Sequence, residues 1–516
     1  MNAHAVPEPG GRIRLRDINL RRWVAARPWL VLCVCTLLLL IQIRNWWEVS
    51  PDSTQYLSMA RSLASGDGLL RFGSPHVLYQ PGYAFLLAPF FLISPEPFLL
   101  LSVFHVLLAA GTLLLMWRWS SQIVGRASAL FVVLFATCTF VFIAGTRRYL
   151  AELPTMLLLL GISMLCGRLL RPRLTWAAGA GLVLLLVPLV LGASMVRYAC
   201  FAIVPGFAFA GLMLCRRRRI PLRRSLAISL LIGVPAITCI LLWIATDNAR
   251  ALGSHESSNV HYLASSSSTL LELCDHLRVR IGVVSRIILP GLTSTYADSW
   301  LNPFTLLVVP VFALLIIGWW KLLRRTGDVL LASAPFYFAV YVLWPDDGRV
   351  RFLAPLLPVL VISAWRVLSR LRAIRFQLFL GLAALHLVFA MFYQVQSELS
   401  EGATYRENWP ALHALLPEMM PHRENIAIRG LSRAERPQAG TWLSVKDTAW
   451  HLSYLLDRRP TIIPEGSDIP AAVEAVLLPP RAVAPWGFHL SKRAGEICLF
   501  VRGTDNNKET LPTLEH

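Results

Sequence analysis

The chain has 516 residues, of which 55% are hydrophobic and only 15% charged, whereas soluble domains carry about 25% charged residues. That balance excludes an ordinary soluble domain and indicates a polytopic membrane protein. The formal net charge of +19 would suggest a nucleic-acid partner in a soluble protein. Here the basic residues fall in short clusters between apolar runs, so their role is topological and no nucleic acid is expected.

Residues 1–22 form a basic N-terminus carrying Arg12, Arg14, Arg16, Arg21 and Arg22. No small-residue cleavage pattern follows, so the first apolar run is read as a retained helix and not as a cleaved signal peptide. Apolar runs of spanning length occur at about 23–43, 97–117, 127–144, 153–170, 174–192, 198–215, 225–244, 303–320, 329–344, 351–367 and 376–394. The run at 83–93 is too short to span and is assigned to the interface. Arg118 with Arg126, Arg168 to Arg173, Arg216 to Arg219, Lys321 with Arg324 and Arg325, and Arg366 to Arg375 fall on the same side as the N-terminus. The positive-inside tendency makes that side cytoplasmic.

The other side receives the loops 44–96 and 245–302, the link Trp344 to Arg351, and everything after about 395. The expected architecture is an all-α polytopic membrane domain over 23–394, with about eleven transmembrane helices. An external α/β cap domain over 395–503 and a flexible tail over 504–516 follow. In the cap, Asn425 to Ile428 and Ala475 to Leu478 read as buried strands, and Trp450 to Leu456 as a helix. Glu407-Asn408-Trp409-Pro410 reads as the opening of another helix. Most of the nine cysteines lie in or beside apolar runs as small hydrophobes. Cys274 and Cys498 fall in external segments, where a disulfide between them is one possibility.

No Walker A sequence and no GxGxxG after a strand occurs on the cytoplasmic side, where the links are short. Chemistry by this chain is therefore expected outside, on an activated substrate dissolved in the bilayer. Asp52 lies a few residues past the first span and its Trp46-Trp47 belt, at the start of an amphipathic helix ended by Gly66 and Gly68. One reading makes Asp52 the N-cap, with Gln55 completing a capping box. The other makes it a general base that takes a proton from an attacking hydroxyl. Tyr56 lies on the apolar face of that helix, and Tyr79-Gln80-Pro81-Gly82-Tyr83 forms a rigid turn at the interface. Tyr56, Tyr79 and Tyr83 are the candidates for positioning substrate.

Arg147 and Arg148 run against the charge rule on the external side, just before Glu152, which opens the next helix as a helix-start acid or as a second carboxylate facing Asp52. Arg197 ends a span, where a cation is costly and either snorkels or functions. Arg349 and Arg351 precede Pro355 and Pro358, which distort a helix and release carbonyls. Their forks suit a phosphate, with pairing to Asp346-Asp347 as the structural alternative. The candidates for phosphate are thus Arg148, Arg197, Arg349 and Arg351. No metal-spaced His/Cys set occurs and no cofactor is expected, with a divalent metal, for which Asp346-Asp347 could serve, as the alternative without a clear ligand set.

Together these residues carry a resemblance. Asp52, Tyr56, Ala60, Leu63 and Gly66-Asp67-Gly68-Leu69, followed by Gln80-Pro81-Gly82-Tyr83, resemble the first external loop of the polyprenyl-phosphate-sugar-dependent membrane glycosyltransferases of the GT-C type. That group includes protein mannosyltransferases, the lipid A aminoarabinose transferase and lipopolysaccharide-core galacturonosyltransferases. Ala151-Glu152-Leu153-Pro154 is similar to their Ser-Glu-Pro helix start, with Ala for Ser and the proline displaced by one. Val196-Arg197-Tyr198 is similar to their Thr-Arg-Pro element, and Arg351 to Pro358 to their Arg-Tyr-x-x-Pro-x-x-Pro segment. The resemblance covers roughly 25–395.

The resemblance implies a catalytic aspartate at Asp52 and basic residues, Arg351 and Arg197, on the donor phosphate; Glu152 is the second catalytic candidate from its position alone. It implies transfer of a monosaccharide from a polyprenyl-phosphate donor to a hydroxyl of a glycan, lipid or protein acceptor, with inversion. The setting would be a plasma (bacterial inner) membrane, with the N-terminus cytoplasmic and the C-terminus periplasmic. The rival functions are a flippase or exporter of lipid-linked sugars, a polysaccharide polymerase or ligase, and a non-catalytic assembly partner.

Overall fold

A computed structural model describes residues 27–48, 50–75, 79–170, 174–216, 222–251, 270–289, 303–343, 350–368, 375–398, 403–429, 445–456, 460–463, 469–470, 472–478, 485, 488–494 and 497–502. By contacts the chain divides into two compact units that are not contiguous in sequence. The first is Met1–Asn45, His76–Leu86 and Glu96–Phe392; the second is Trp46–Pro75, Leu87–Pro95 and Tyr393–His516. The linear division at residue 394 differs from this, because the first loop, with Asp52, clusters with the C-terminal region.

Over their described residues, all eleven apolar runs are predominantly helical. In chain order, with the helices of the first loop included, the elements are α1 (Pro28–Leu40), α2 (Pro51–Ser65), α3 (Gly82–Phe91), α4 (Phe98–Val124), α5 (Arg126–Cys138), α6 (Phe140–Arg147), α7 (Glu152–Leu169), α8 (Trp176–Val196), α9 (Ile203–Arg216) and α10 (Leu222–Ala251). Next come α11 (Leu270–Ile288), α12 (Pro303–Thr326), α13 (Val329–Leu343), α14 (Leu357–Leu368) and α15 (Arg375–Ser397). Among the described residues seven helices are long and apolar enough to cross a membrane alone, and an eighth span results if α5 and α6, bent by 58° at Thr139, count together. Pro28–Leu40 and Val329–Leu343 are shorter apolar helices.

Leu107, Leu184, Leu230, Leu241 and Val388 point outward. Large apolar side chains on the outside of an apolar helix suit a hydrocarbon solvent, in which the helix satisfies its own backbone. Small residues let the helices approach. A Cβ on Gly206 would lie 2.0 Å from Ser333 Oγ, and one on Gly318 would lie 2.3 Å from the Ser363 carbonyl oxygen.

The segment 245–302 is not simply a loop. Helix α11 occupies its middle, with Val283, Val284, Ile287 and Ile288 buried. Its charged residues keep it below a spanning pattern, while its apolar positions recur at helical spacing.

In the second unit, β1 (Leu70–Arg71) and β2 (Ser74–Pro75) form a small antiparallel hairpin after α2. Helices α16 (Ala403–Met419) and α17 (Val445–Leu456) accompany strands β3 (Ile426–Arg429), β4 (Thr461–Ile463), β5 (Ala475–Leu478), β6 (Phe488–Ala494) and β7 (Ile497–Arg502). The sheet order is β4-β3-β5-β7-β6, with β4 and β5 parallel to β3 and the remaining pairs antiparallel. Period-two alternation divides its side chains. Ile426, Ile428, Ala475, Leu477, Ile497 and Leu499 pack with α16 and α17, whereas Ala427, Val476, Leu478, Cys498 and Phe500 belong to a separate cluster. Cys498 is thus buried in this core, and Cys274 is exposed in the other unit.

Candidate functional site

The expected residues fall into two groups, one in each unit. In the second unit Asp52 lies in the first turn of α2, at an intermediate exposure. It is not the cap. Ser50 is extended (φ −143°, ψ 154°) and its Oγ accepts from the Ser53 amide at 3.1 Å, while Ser53 Oγ accepts from the Ser50 amide at 3.0 Å. This reciprocal box satisfies the helix start without Asp52 or Gln55. Pro51 at the first helical position has no amide to satisfy and presets φ. The Asp52 carboxylate therefore sits at the positive end of a helix whose capping is done by neighbours.

Further contacts fix α2 within its unit. Gln55 uses its amide on the Pro51 carbonyl and accepts from Arg71 Nη1 at 2.8 Å. The Phe72 amide donates to Ser58 Oγ at 2.9 Å, and Phe72 holds a left-handed backbone at φ +50°. Gly66, at φ +85°, ends the helix as expected. Tyr56 is buried. Glu48, 1% exposed, receives a short hydrogen bond from the Tyr393 hydroxyl.

Beside α2 lies an aromatic box. The Trp47 ring meets Trp409, His451 and Tyr454 at centroid distances of 5.9, 5.5 and 5.1 Å. Trp409 also stacks on Tyr405 at 5.1 Å, and its indole meets His451 at 5.4 Å. His451 is 4% exposed, and among the described residues neither ring nitrogen has a hydrogen-bond partner. Burial pushes its pKa down to about 3, so the imidazole is neutral.

In the first unit the second group centres on Glu152. It is the first residue of α7, 3% exposed, and its Oε1 accepts from Arg197 Nη1 at 2.8 Å. Arg197 ends α8 and is itself only 17% exposed. Its guanidinium carbon lies 4.7 Å from the centroid of the Phe352 ring, and that of Arg351 lies 5.0 Å from the same centroid. Two guanidiniums thus share one aromatic ring, and one carboxylate holds one of them. Tyr337 anchors the segment by donating its hydroxyl to the Phe352 carbonyl at 3.1 Å. Arg351 and Phe352 lie in a 3-10 stretch, Val350–Leu356, containing Pro355, as the proline pair implied.

The Gln-Pro-Gly turn explains why Arg197 stands where it does. A Cβ on Gly82 would lie 2.6 Å from the Met195 carbonyl carbon and 2.7 Å from the Val196 nitrogen. Only glycine lets this turn rest on the backbone leading into Arg197. Tyr83 is buried and shares a hydrogen bond with His105, whose other ring nitrogen meets the Leu101 carbonyl. Tyr79 is half-buried. Arg148 ends α6 at intermediate exposure, whereas its neighbour Arg147 is buried. Tyr149, at φ +48°, turns the chain toward Glu152 and donates its hydroxyl to the Phe98 carbonyl. Arg349 lies outside the described residues.

The structure thus brings together Glu152, Arg197 and Arg351, and it places Asp52 with a different set of partners. Sequence reasoning missed Arg280. This residue is 1% exposed, and its guanidinium carbon lies 4.5 Å from the Tyr341 ring centroid, on the same helix as Tyr337. The recurrence of Val279, Val283 and Ile287 could have revealed its helix. Among the described residues no three His, Cys, Asp or Glu side chains come together as a metal site.

No protein-family model matches the chain, and no curated protein matches it in sequence. Solved structures do. The chain is similar to ArnT from Cupriavidus metallidurans bound to undecaprenyl phosphate, at 11% identity and a TM-score of 0.55, over 92% of this chain and 98% of that one. The apo state of the same protein matches at 12% identity and a TM-score of 0.52, with the same coverage. The chain therefore shares its overall fold with that protein, and its own architecture is a set of long apolar helices with a small C-terminal α/β region.

Proposed function

We propose that this chain is an integral-membrane glycosyltransferase that moves a monosaccharide from a polyprenyl-phosphate donor to an acceptor hydroxyl. The observation that carries the reading is the Glu152–Arg197–Phe352–Arg351 cluster. Two planar cations stand at helix ends of a bundle of apolar helices, and one is oriented by a buried carboxylate. Such forks suit a phosphate held at the membrane edge. A shared fold with a protein crystallised on undecaprenyl phosphate agrees with that ligand chemistry.

In the proposed reaction Asp52 accepts the proton of the acceptor hydroxyl. The oxygen forms a bond to the anomeric carbon as the bond from that carbon to the phosphate oxygen breaks. The polyprenyl phosphate leaves with the electron pair, and direct displacement inverts the anomeric centre. Arg197 and Arg351 stabilise the charge that develops on the leaving phosphate, with Arg148 and Arg349 as further candidate cations. Glu152 is better placed to orient Arg197 than to act as base, because its Oε1 is already engaged by that guanidinium. Tyr79 is the tyrosine left to line the site, since Tyr56 and Tyr83 are buried. The distribution of the arginine clusters supports a reaction on the external face, with the C-terminal region outside.

The test is direct. Purified protein in nanodiscs is given a panel of undecaprenyl-phosphate monosaccharides with an extract of cell-envelope acceptors, and release of undecaprenyl phosphate is followed by mass spectrometry. Acceptor-dependent release from one donor is expected. Movement of intact donor across the bilayer, with no release from any donor, would replace the transferase reading with that of a flippase.

A further inference from the structure

Helix α2 needs no help to be a helix. Ser50 and Ser53 cap its start and Gly66 closes its end. It nevertheless carries an attachment on the side away from Asp52. Arg61 Nη2 donates to the Tyr454 carbonyl of α17 at 2.6 Å, and its guanidinium carbon lies 4.5 Å from the Tyr454 ring centroid. Nine residues separate Asp52 from Arg61, which at 3.6 residues per turn is a rotation of about 180° over a rise of about 13 Å. The attachment and the carboxylate therefore project from opposite faces.

Tyr454 is also the ring that Trp47 meets at 5.1 Å, and Trp47 Nε1 donates to Ser53 Oγ at 3.2 Å. The Tyr454 hydroxyl in turn donates to the Pro95 carbonyl at 3.1 Å. One buried tyrosine of the C-terminal region thus touches the entry to α2 through Trp47 and its third turn through Arg61.

We propose that Arg61 is a positioning residue. Clamped on the carbonyl and ring of Tyr454, it fixes the rotation of α2 about its axis, so that the C-terminal α/β region sets where Asp52 is presented. The inference rests on the proposed role of Asp52 as base. The leverage is large. A side-chain atom about 5–6 Å from a helix axis moves by about 1 Å for a rotation of about 10°. A misplacement of that size costs up to about 10²-fold in rate. Arg61→Lys retains the charge over the ring but loses the planar fork, so it should rescue in part. Arg61→Met keeps the stem and serves if Arg61→Ala does not fold.

Two readouts test this on the full-length protein. The first is independent of catalysis: spin labels at the exposed positions Ser65 and Glu424, attached by non-cysteine chemistry because Cys33 and Cys274 are exposed, report the distance distribution between α2 and the α/β region. Arg61→Ala should broaden it and Arg61→Lys should restore part of the narrowing. The second is the transfer assay, in which Arg61→Ala should lower kcat roughly 10- to 100-fold with donor KM and melting temperature near wild type. An unchanged distance distribution overturns the proposal whatever the rates do. So does a broadened distribution with wild-type kcat. Wild-type transfer by Asp52→Asn beside a broadened distribution in Arg61→Ala would instead strike down the role of Asp52 and leave the clamp standing.

Discussion

Acidification below neutrality should loosen the second unit through a single residue, His451. Its imidazole is boxed by Trp47, Tyr405 and Trp409 at centroid distances of 5.4 to 5.7 Å, and burial pushes its pKa from 6.5 down to about 3. In the unfolded chain it would titrate near its ordinary value. Between pH 3 and 6.5 the unfolded state therefore binds more protons, and stability falls as pH drops through that window. Lowering pH from 7 to 5 removes about 2 kcal/mol from this group, or roughly 4–8 °C of melting temperature for a unit of this size. Glu418, held low by its bond to Lys492, and Glu474, held low by His422 and Asn425, lose their contributions only as pH falls through the carboxylate range. The window from pH 7 to 5 thus isolates histidine behaviour. The assay is thermal unfolding of the full protein at pH 7, 6 and 5, followed by tryptophan fluorescence, because Trp47 and Trp409 border the imidazole. His451→Phe fills the box without a titrating group, so it should lose markedly less melting temperature on acidification. Equal losses in wild type and His451→Phe would refute the reasoning.

Three further outcomes are expected. Gly82→Ala drives a methyl against the Met195 and Val196 backbone; it should cost about 1–3 kcal/mol in thermal unfolding and raise donor KM by displacing Arg197, and a wild-type melting temperature would count against the contact. Glu152→Gln should raise donor KM and lower kcat together, each by about tenfold or less, because Arg197 both holds the phosphate and stabilises its developing charge; a fall in kcat of about 10²-fold or more at unchanged KM would make Glu152 the base. A reporter that matures only outside the cytoplasm, fused between Gln394 and Val395, should be active, and activity of a cytoplasm-only reporter there would reverse the topology.

The membrane helices were legible because a bilayer demands long apolar runs, and every such run is predominantly helical over its described residues. The helix that carries Asp52 was legible from its amphipathic pattern and its closing Gly66, but the alternative that made Asp52 its cap fails, because Ser50 is the cap. Pro51 marked the helix start and hence Ser50 as the cap, a signal the acidic side chain overshadowed. Helix α11 was hidden by its charged residues, which interrupt any continuous apolar run while leaving the apolar stripe along one face intact. Strand β6 was missed because it is a largely exposed strand at the sheet edge, bearing His489, Lys492 and Arg493, with little apolar signal of its own. The pairing of Glu152 with Arg197, of Arg197 with Phe352, and of Trp47 with His451 and Tyr454 joins residues far apart in sequence. Periodicity reports which face of an element is buried and carries no information about which distant side chain it meets. For the same reason the clustering of the first loop with the C-terminal region could not be read in advance.

The central claim is that Asp52 takes the proton of the acceptor hydroxyl. The most direct measurement is the single-turnover rate of sugar transfer from a polyprenyl-phosphate donor by Asp52→Asn in nanodiscs. Because Ser50 and Ser53 cap α2, this substitution removes the proton acceptor and leaves the helix start intact. A general base predicts a fall of roughly 10²–10⁴-fold with normal expression and retained donor binding. Transfer at a rate close to that of the wild type would contradict the account.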